Sequence, residues 1–123
     1  MKSTKNYLFF IVNNIPQAIE TISICKSIKI LPIFFIKFYL INGFGLDWIL
    51  EFRNLLLKKF NKKDFKILVD CKKNYALFIG LVQKKIDFLQ VNSDNQTLFR
   101  LKTIAKKNNV TVNPKISVVN LSN

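Results

Sequence analysis

From Tyr7 to Val112, short apolar runs rich in β-branched and aromatic residues alternate with longer segments whose apolar residues recur at helical spacing. Period-two runs read as strands and 3.6-period runs as amphipathic helices, so regular alternation of the two is the pattern of a βαβ series. Five strands follow: Tyr7–Val12, about Ile30–Phe35, Phe65–Val69, Phe88–Val91 and Val110–Val112. Four helices fall between them, over about Ile15–Ile28, Asp47–Phe60, Asn74–Lys85, and from Ser93 or Asp94 to Lys107. In the first helix Ile15, Ala18, Ile19, Ile22 and Cys25 share a face, Asn14 is suited to the N-cap, and Pro16 is tolerated in the first turn.

Strands separated by helices predict a parallel sheet, because a right-handed crossover is the common way to join such neighbours. Pro32 has no amide hydrogen for a ladder and predicts an edge position for strand two, whereas the unbroken apolar run of strand one suits a centre. The favoured order is therefore 2-1-3-4-5, with a half-barrel-like (βα)4 array as the alternative. Residues 116–121 are β-prone but follow Pro114 with no helix before them, and read as an extra edge strand or a tail. No repeat, flexible linker or shift in composition divides residues 1–123, so a single α/β domain is expected.

A 123-residue chain buries roughly two thirds of its unfolded surface, and 50% hydrophobic with 22% charged residues is a globular balance rather than a disordered one. The formal net charge of +13 would suit a polyanion, since clustered cations attract phosphate-rich surfaces. Yet Arg53 and Arg100 are the only arginines among 20 basic residues, and the abundant Lys, Asn, Ile and Phe all have AT-rich codons. Bidentate phosphate or base recognition favours arginine. The lysine pairs at 58/59, 62/63, 72/73, 84/85 and 106/107 mostly sit near helix carboxyl ends with no aromatics interleaved, which describes a solvated face. Nucleic acid is thus an alternative partner, not the favoured one.

Cys25 and Cys71 are too few for a disulfide scaffold and are expected as free thiols in a reducing cytoplasm. The run Tyr7–Val12 behind Lys2 and Lys5 is shorter than a signal-peptide core. The stretch Ile28–Ile41, interrupted by Lys29, Pro32 and Lys37, falls short of the ~20 residues of a membrane-spanning helix. A cytoplasmic protein with no membrane span is the expectation.

Ligands of parallel α/β sheets bind beyond the carboxyl ends of the strands. The loops expected there offer Asn13 and Asn14, then Lys37 and Tyr39, then Asp70, Cys71, Lys72 and Lys73, then Asn92, Ser93 and Asp94. Asp70 leaves a buried strand and is placed to anchor a ligand cation or hold Lys37; its plainer role is a helix-capping carboxylate beside the small buried thiol of Cys71. As a nucleophile Cys71 has no histidine to activate it, which leaves a helix terminus or Lys72 to lower its pKa. Asn92-Ser93-Asp94 is an N-cap signature. The segment Lys37–Leu46, with Tyr39, Asn42, Gly43, Phe44 and Gly45, reads as the longest connection and as the best binding surface. It is a poor phosphate cradle: the third glycine position of G-x-G-x-x-G holds Trp48. Zero histidines exclude a Ser-His-Asp relay and a histidine metal site, so neither metal nor cofactor is expected.

The stretch Leu68-Val69-Asp70-Cys71 with the helix after it, together with Tyr39, Gly43, Gly45 and Trp48, resembles a small uncharacterised alphaproteobacterial protein group. In that group the turn after Asp-Cys carries Gly and Asp where this chain has Lys72 and Lys73. The resemblance implies a half-barrel-like or flavodoxin-like α/β fold and no activity. The functional expectation is a non-enzymatic domain that binds a partner protein or small ligand at the carboxyl edge of the sheet, around Tyr39–Trp48 and Asp70. The alternatives are an RNA- or ribosome-associated basic protein, and a degenerate enzyme on a phosphorylated metabolite using Lys37, Asp70 or Lys72.

Overall fold

The computed structural model describes residues 6–11 and 14–114, and for 38–44 the backbone alone. Its elements run β1 (Asn6–Ile11), α1 (Ile15–Ser27), β2 (Ile30–Ile36), α2 (Phe38–Leu57), a 3-10 turn (Lys62–Asp64), β3 (Lys66–Asp70), α3 (Tyr75–Gln83), β4 (Phe88–Gln90), α4 (Asn95–Lys107) and β5 (Thr111–Val112). All four described strand pairings are parallel, which bears out the α/β reading. The expected strand at 116–121 lies outside the described residues, as does Val12.

The strand order is β1-β2-β3-β4-β5, not 2-1-3-4-5. Pro32 does not make β2 an edge strand: it pairs with Leu8 of β1, and β3 begins beside β2 only at Ile33, opposite Lys66. At the proline itself β2 therefore has a ladder neighbour on one side alone. The missing amide is accommodated locally, within a strand that is central one residue later.

A sequential parallel order with right-handed crossovers puts every helix on the same face of the sheet. The core follows that geometry. Ala18 and Ile22 of α1, Ile49, Phe52 and Leu56 of α2, Phe78 and Leu81 of α3, and Leu101 and Ala105 of α4 form one buried cluster with Phe34, Ile36, Ile67, Val69 and Leu89. Those strand residues all have one parity. Within it the fully buried Phe34 meets Phe52 edge-on at 6.1 Å and Phe65 at 6.3 Å. The opposite parity, Phe9, Ile33 and Leu68 with Phe35 and Phe88 packed against them, forms a second cluster that holds no described helix residue. This one-sided array is the half-barrel-like alternative.

Three of the described helices start at a side-chain cap, and two of these, Asn14 and Asp94, are the expected ones. Asn14 accepts from the Gln17 amide at 2.8 Å, with Pro16 in the first turn, Asn74 accepts from Leu77 at 3.0 Å, and Asp94 from Thr97 at 2.7 Å. The segment Lys37–Leu46 is not a loop. Only Lys37 separates β2 from α2, which is helical from Phe38 and broken at Gly45 (φ 74°, ψ −169°), a conformation open to glycine. Phe38 to Ile41 extend the helical apolar pattern back to the strand, so the connection is one residue long. Gly80 lets α3 approach α2: a Cβ there would lie 3.2 Å from Leu46 Cδ2.

Among the described residues, no helix is long and apolar enough to cross a membrane.

Candidate functional site

β3 and β4 both end in polar residues aimed at the face that carries no described helix, because Asp70 pairs with Gln90 two residues beyond Leu68 and Phe88, on the same face as they are. Past these ends the backbones stay joined: the Cys71 amide donates to Gln90 O at 2.8 Å and the Asn92 amide to Lys72 O at 2.7 Å. Next to them Asn113, at φ 48°, turns its side chain onto β4. Its Oδ1 accepts from the Val91 amide at 2.8 Å and its Nδ2 donates to Val91 O at 3.1 Å. One side-chain amide thus replaces a strand neighbour where β5 has ended.

These strand ends enclose a cleft of about 420 Å³ with a floor of Phe9, Phe35 and Leu68 and a rim of Asp70, Lys72, Gln90, Asn92 and Asn113. That volume lies within the range of small-molecule sites, which combine apolar walls with a few placed polar groups. Asp70 is the one buried charged residue among the described residues. Its Oδ1 accepts from the Lys72 amide at 3.0 Å, and its Oδ2 lies 3.2 Å from Lys72 Nζ.

The sequence candidates separate on this geometry. Asp70 and Lys72 come together in the cleft. Asp70 caps the tight turn at Lys72; the cap of α3 is Asn74, so the helix-capping role does not hold. The lysine on Asp70 is Lys72 rather than Lys37. Cys71 points the other way, into the helix-side core, fully buried. Burial, and behind it the Asp70 charge, push its thiol up to about 12, the reverse of the activation a helix terminus or Lys72 would give. Asn92 lines the cleft, Asp94 caps α4, and the Thr97 amide and hydroxyl hold the Asp94 carboxyl below its usual range. Gly45 is the break within α2, and the side chains of Tyr39, Asn42 and Phe44, with the whole of Asn13, lie outside the described residues. Phe9, Gln90 and Asn113 escaped the sequence reading. The Asn113-Pro114 dipeptide is a turn signal, and it was the available sign for Asn113.

Among the described residues no group of three His, Cys, Asp or Glu side chains is arranged to hold a metal ion. Comparison with protein-family models, curated proteins and solved structures finds no match to the chain.

Proposed function

We propose that this chain is a recognition module that takes a small ligand with an apolar body and a hydrogen-bonding head in the cleft beyond β3 and β4. The observation that carries this reading is the buried Asp70 carboxylate at the edge of a floor made by Phe9, Phe35 and Leu68. A ligand's apolar part covers that floor, and donors on its head reach Asp70. Lys72, mostly exposed, is free to swing from Asp70 to an anionic group of the ligand. Recognition is preferred to catalysis because the chain has no histidine and the Cys71 thiol stays protonated at neutral pH with its side chain on the far face.

Ligand-observed NMR with a library of small metabolites tests the proposal. Hits should lose affinity at least tenfold in Asp70→Asn and in Leu68→Ala, and keep it in the surface variant Lys102→Gln. Hits indifferent to both cleft variants would remove the cleft from the function.

A further inference from the structure

In a parallel array each connection from helix to strand returns to the same rim, where the strands begin. Here that rim collects most of the chain's lysines. Lys26 and Lys29 close α1, Lys58 and Lys59 close α2, Lys84 and Lys85 close α3, and Lys106 and Lys107 close α4. Lys62 and Lys63 add to them from the 3-10 turn. The opposite rim is mixed, with Lys37, Lys72 and Lys73 interspersed with Asp70 and Asp94.

Codon composition does not explain such a division, because it acts without regard to rim. The negative ends of helix dipoles favour cations in a last turn. They do not call for Lys62 and Lys63, which belong to no α-helix, nor for lysine at the left-handed positions Lys29 (φ 58°) and Lys85 (φ 59°).

Two clefts open on the lysine rim, one on each side of the 3-10 turn. The larger, about 240 Å³, is lined by Arg53, Lys62, Phe65, Lys84, Lys85 and Asp87 together with Leu57. Arg53 is held in place by its Nη1, which donates to Lys84 O at 2.7 Å. The second, about 200 Å³, takes Lys26, Lys29 and Lys63 around Asp64. Each cleft has one carboxylate, and each is already engaged. Asp64 accepts from the Asn61 amide at 2.8 Å and from Lys26 Nζ at 3.4 Å. Asp87 accepts from the Ile67 amide at 3.0 Å and faces Lys66 Nζ at 3.7 Å. The remaining cations of both clefts outnumber the anions that face them.

From this placement we infer that the helix-to-strand rim binds the phosphodiester backbone of a single-stranded nucleic acid, with phosphates seated in the clefts on either side of the 3-10 turn. The rim is on the order of 20 Å long, from five strands about 4.8 Å apart, which suits an extended polyanion. Clefts favour a chain that can lie into them over a flat anionic bilayer or the convex backbone of a duplex. Because lysines and one anchored arginine are the cations of both clefts, binding is mainly electrostatic and independent of sequence. This inference does not depend on the cleft at the other rim.

Fluorescence anisotropy with a labelled single-stranded RNA of mixed sequence, titrated from 50 to 200 mM salt, tests it. Affinity should fall steeply, with a log–log slope of about −0.7 for each phosphate contacted. The triple variant Lys62→Gln, Lys84→Gln, Lys85→Gln should bind at least tenfold more weakly at 50 mM salt and show a shallower slope. A triple variant with the same change of charge elsewhere, Lys73→Gln, Arg100→Gln, Lys102→Gln, should stay within twofold of the unmodified chain. Circular dichroism confirms that both are folded. Equal losses in the two variants, no binding at 50 mM salt, or retention on phosphatidylserine vesicles without RNA binding would each overturn the inference.

Discussion

Lys72 meets Asp70 twice, through its amide at 3.0 Å from Oδ1 and through Nζ at 3.2 Å from Oδ2. The two contacts differ in weight. The first satisfies a backbone donor in a tight turn where Lys72 has φ 50°; the second is an ion pair whose lysine is 61% exposed, and such pairs contribute little. Asp70→Ala removes both and should cost about 1–2 kcal/mol in urea unfolding. Asp70→Asn keeps an acceptor for the amide and should cost less than about 1 kcal/mol. Ligand binding should separate from stability in the same pair, since Asn lacks the charge that the proposed ligand head uses. Equal destabilisation by Asn and Ala would mean that the ion pair, not the turn, is the stabilising contact.

Asn113 should be less replaceable than its surface position in sequence suggests. Its side chain satisfies both the N–H and the C=O of Val91, itself buried, and among the described residues no strand neighbour takes its place. Asn113→Ala leaves those groups to water at the cleft rim and should cost about 1–3 kcal/mol. The measurement is urea unfolding paired with amide exchange at Val91. Exchange at Val91 that is no faster in the variant would show that the side-chain clamp does not protect it.

Helix ends in this chain carry residues other than glycine at left-handed positions. α3 closes with Ile86 N donating to Leu81 O at 3.2 Å and α4 with Val110 N to Ala105 O at 3.0 Å, a pattern whose left-handed residue, Lys85 or Asn109, is usually glycine. Lysine has a Cβ to accommodate there, whereas asparagine tolerates the region better. Lys85→Gly should therefore stabilise by about 0.5–1 kcal/mol, and Asn109→Gly by less. Lys85→Ala, which removes the charge and keeps the Cβ, should not stabilise comparably. Thermal midpoints read the difference, and equal gains from Gly and Ala would assign the effect to charge.

The fold was legible wherever local chemistry decides it. The caps at Asn14 and Asp94, the strands around Phe9, Ile67 and Leu89, and the parallel pairing follow from cap chemistry, periodicity and crossover rules. Strand order was not, because Pro32 restricts one residue's ladder partner, and β3 joins β2 only at the next residue. The helix from Phe38 was missed because Gly43 and Gly45 looked like a loop, although only Gly45 breaks the helical backbone. Of the site, Asp70 and Lys72 were visible at a strand end. Phe9 and Asn113 were not, because they reach the cleft from β1 and from just past β5, strands whose relation to β3 depends on the order. The gathering of lysines on one rim is likewise a property of topology, since their spacing along the chain shows only helix ends.

Cys71 gives the chain a specific alkaline weakness. Its thiol is pushed from 9.0 to about 12 by burial first and the Asp70 charge second. In the unfolded chain the thiol ionises near its ordinary value, so above about pH 9 the unfolded state holds fewer protons than the folded one, and stability falls as pH rises. The contribution is complete below about pH 9 and is lost progressively toward pH 12, a span on the order of 4 kcal/mol at the conversion of 1.36 kcal/mol per unit. Lysines also titrate in this window, so Cys71→Ala is the comparison that isolates the thiol. That variant is less stable at pH 7 because it leaves space in the core, yet it should lose less stability between pH 8 and pH 11 than the unmodified chain. In the native state at pH 8 a thiol reagent should label neither Cys71 nor Cys25, whose thiol is also raised by burial, and it should label both in denaturant. Parallel alkaline losses in the two chains, or fast native labelling of Cys71, would place this thiol in contact with water and against the packing described for the helix-side core.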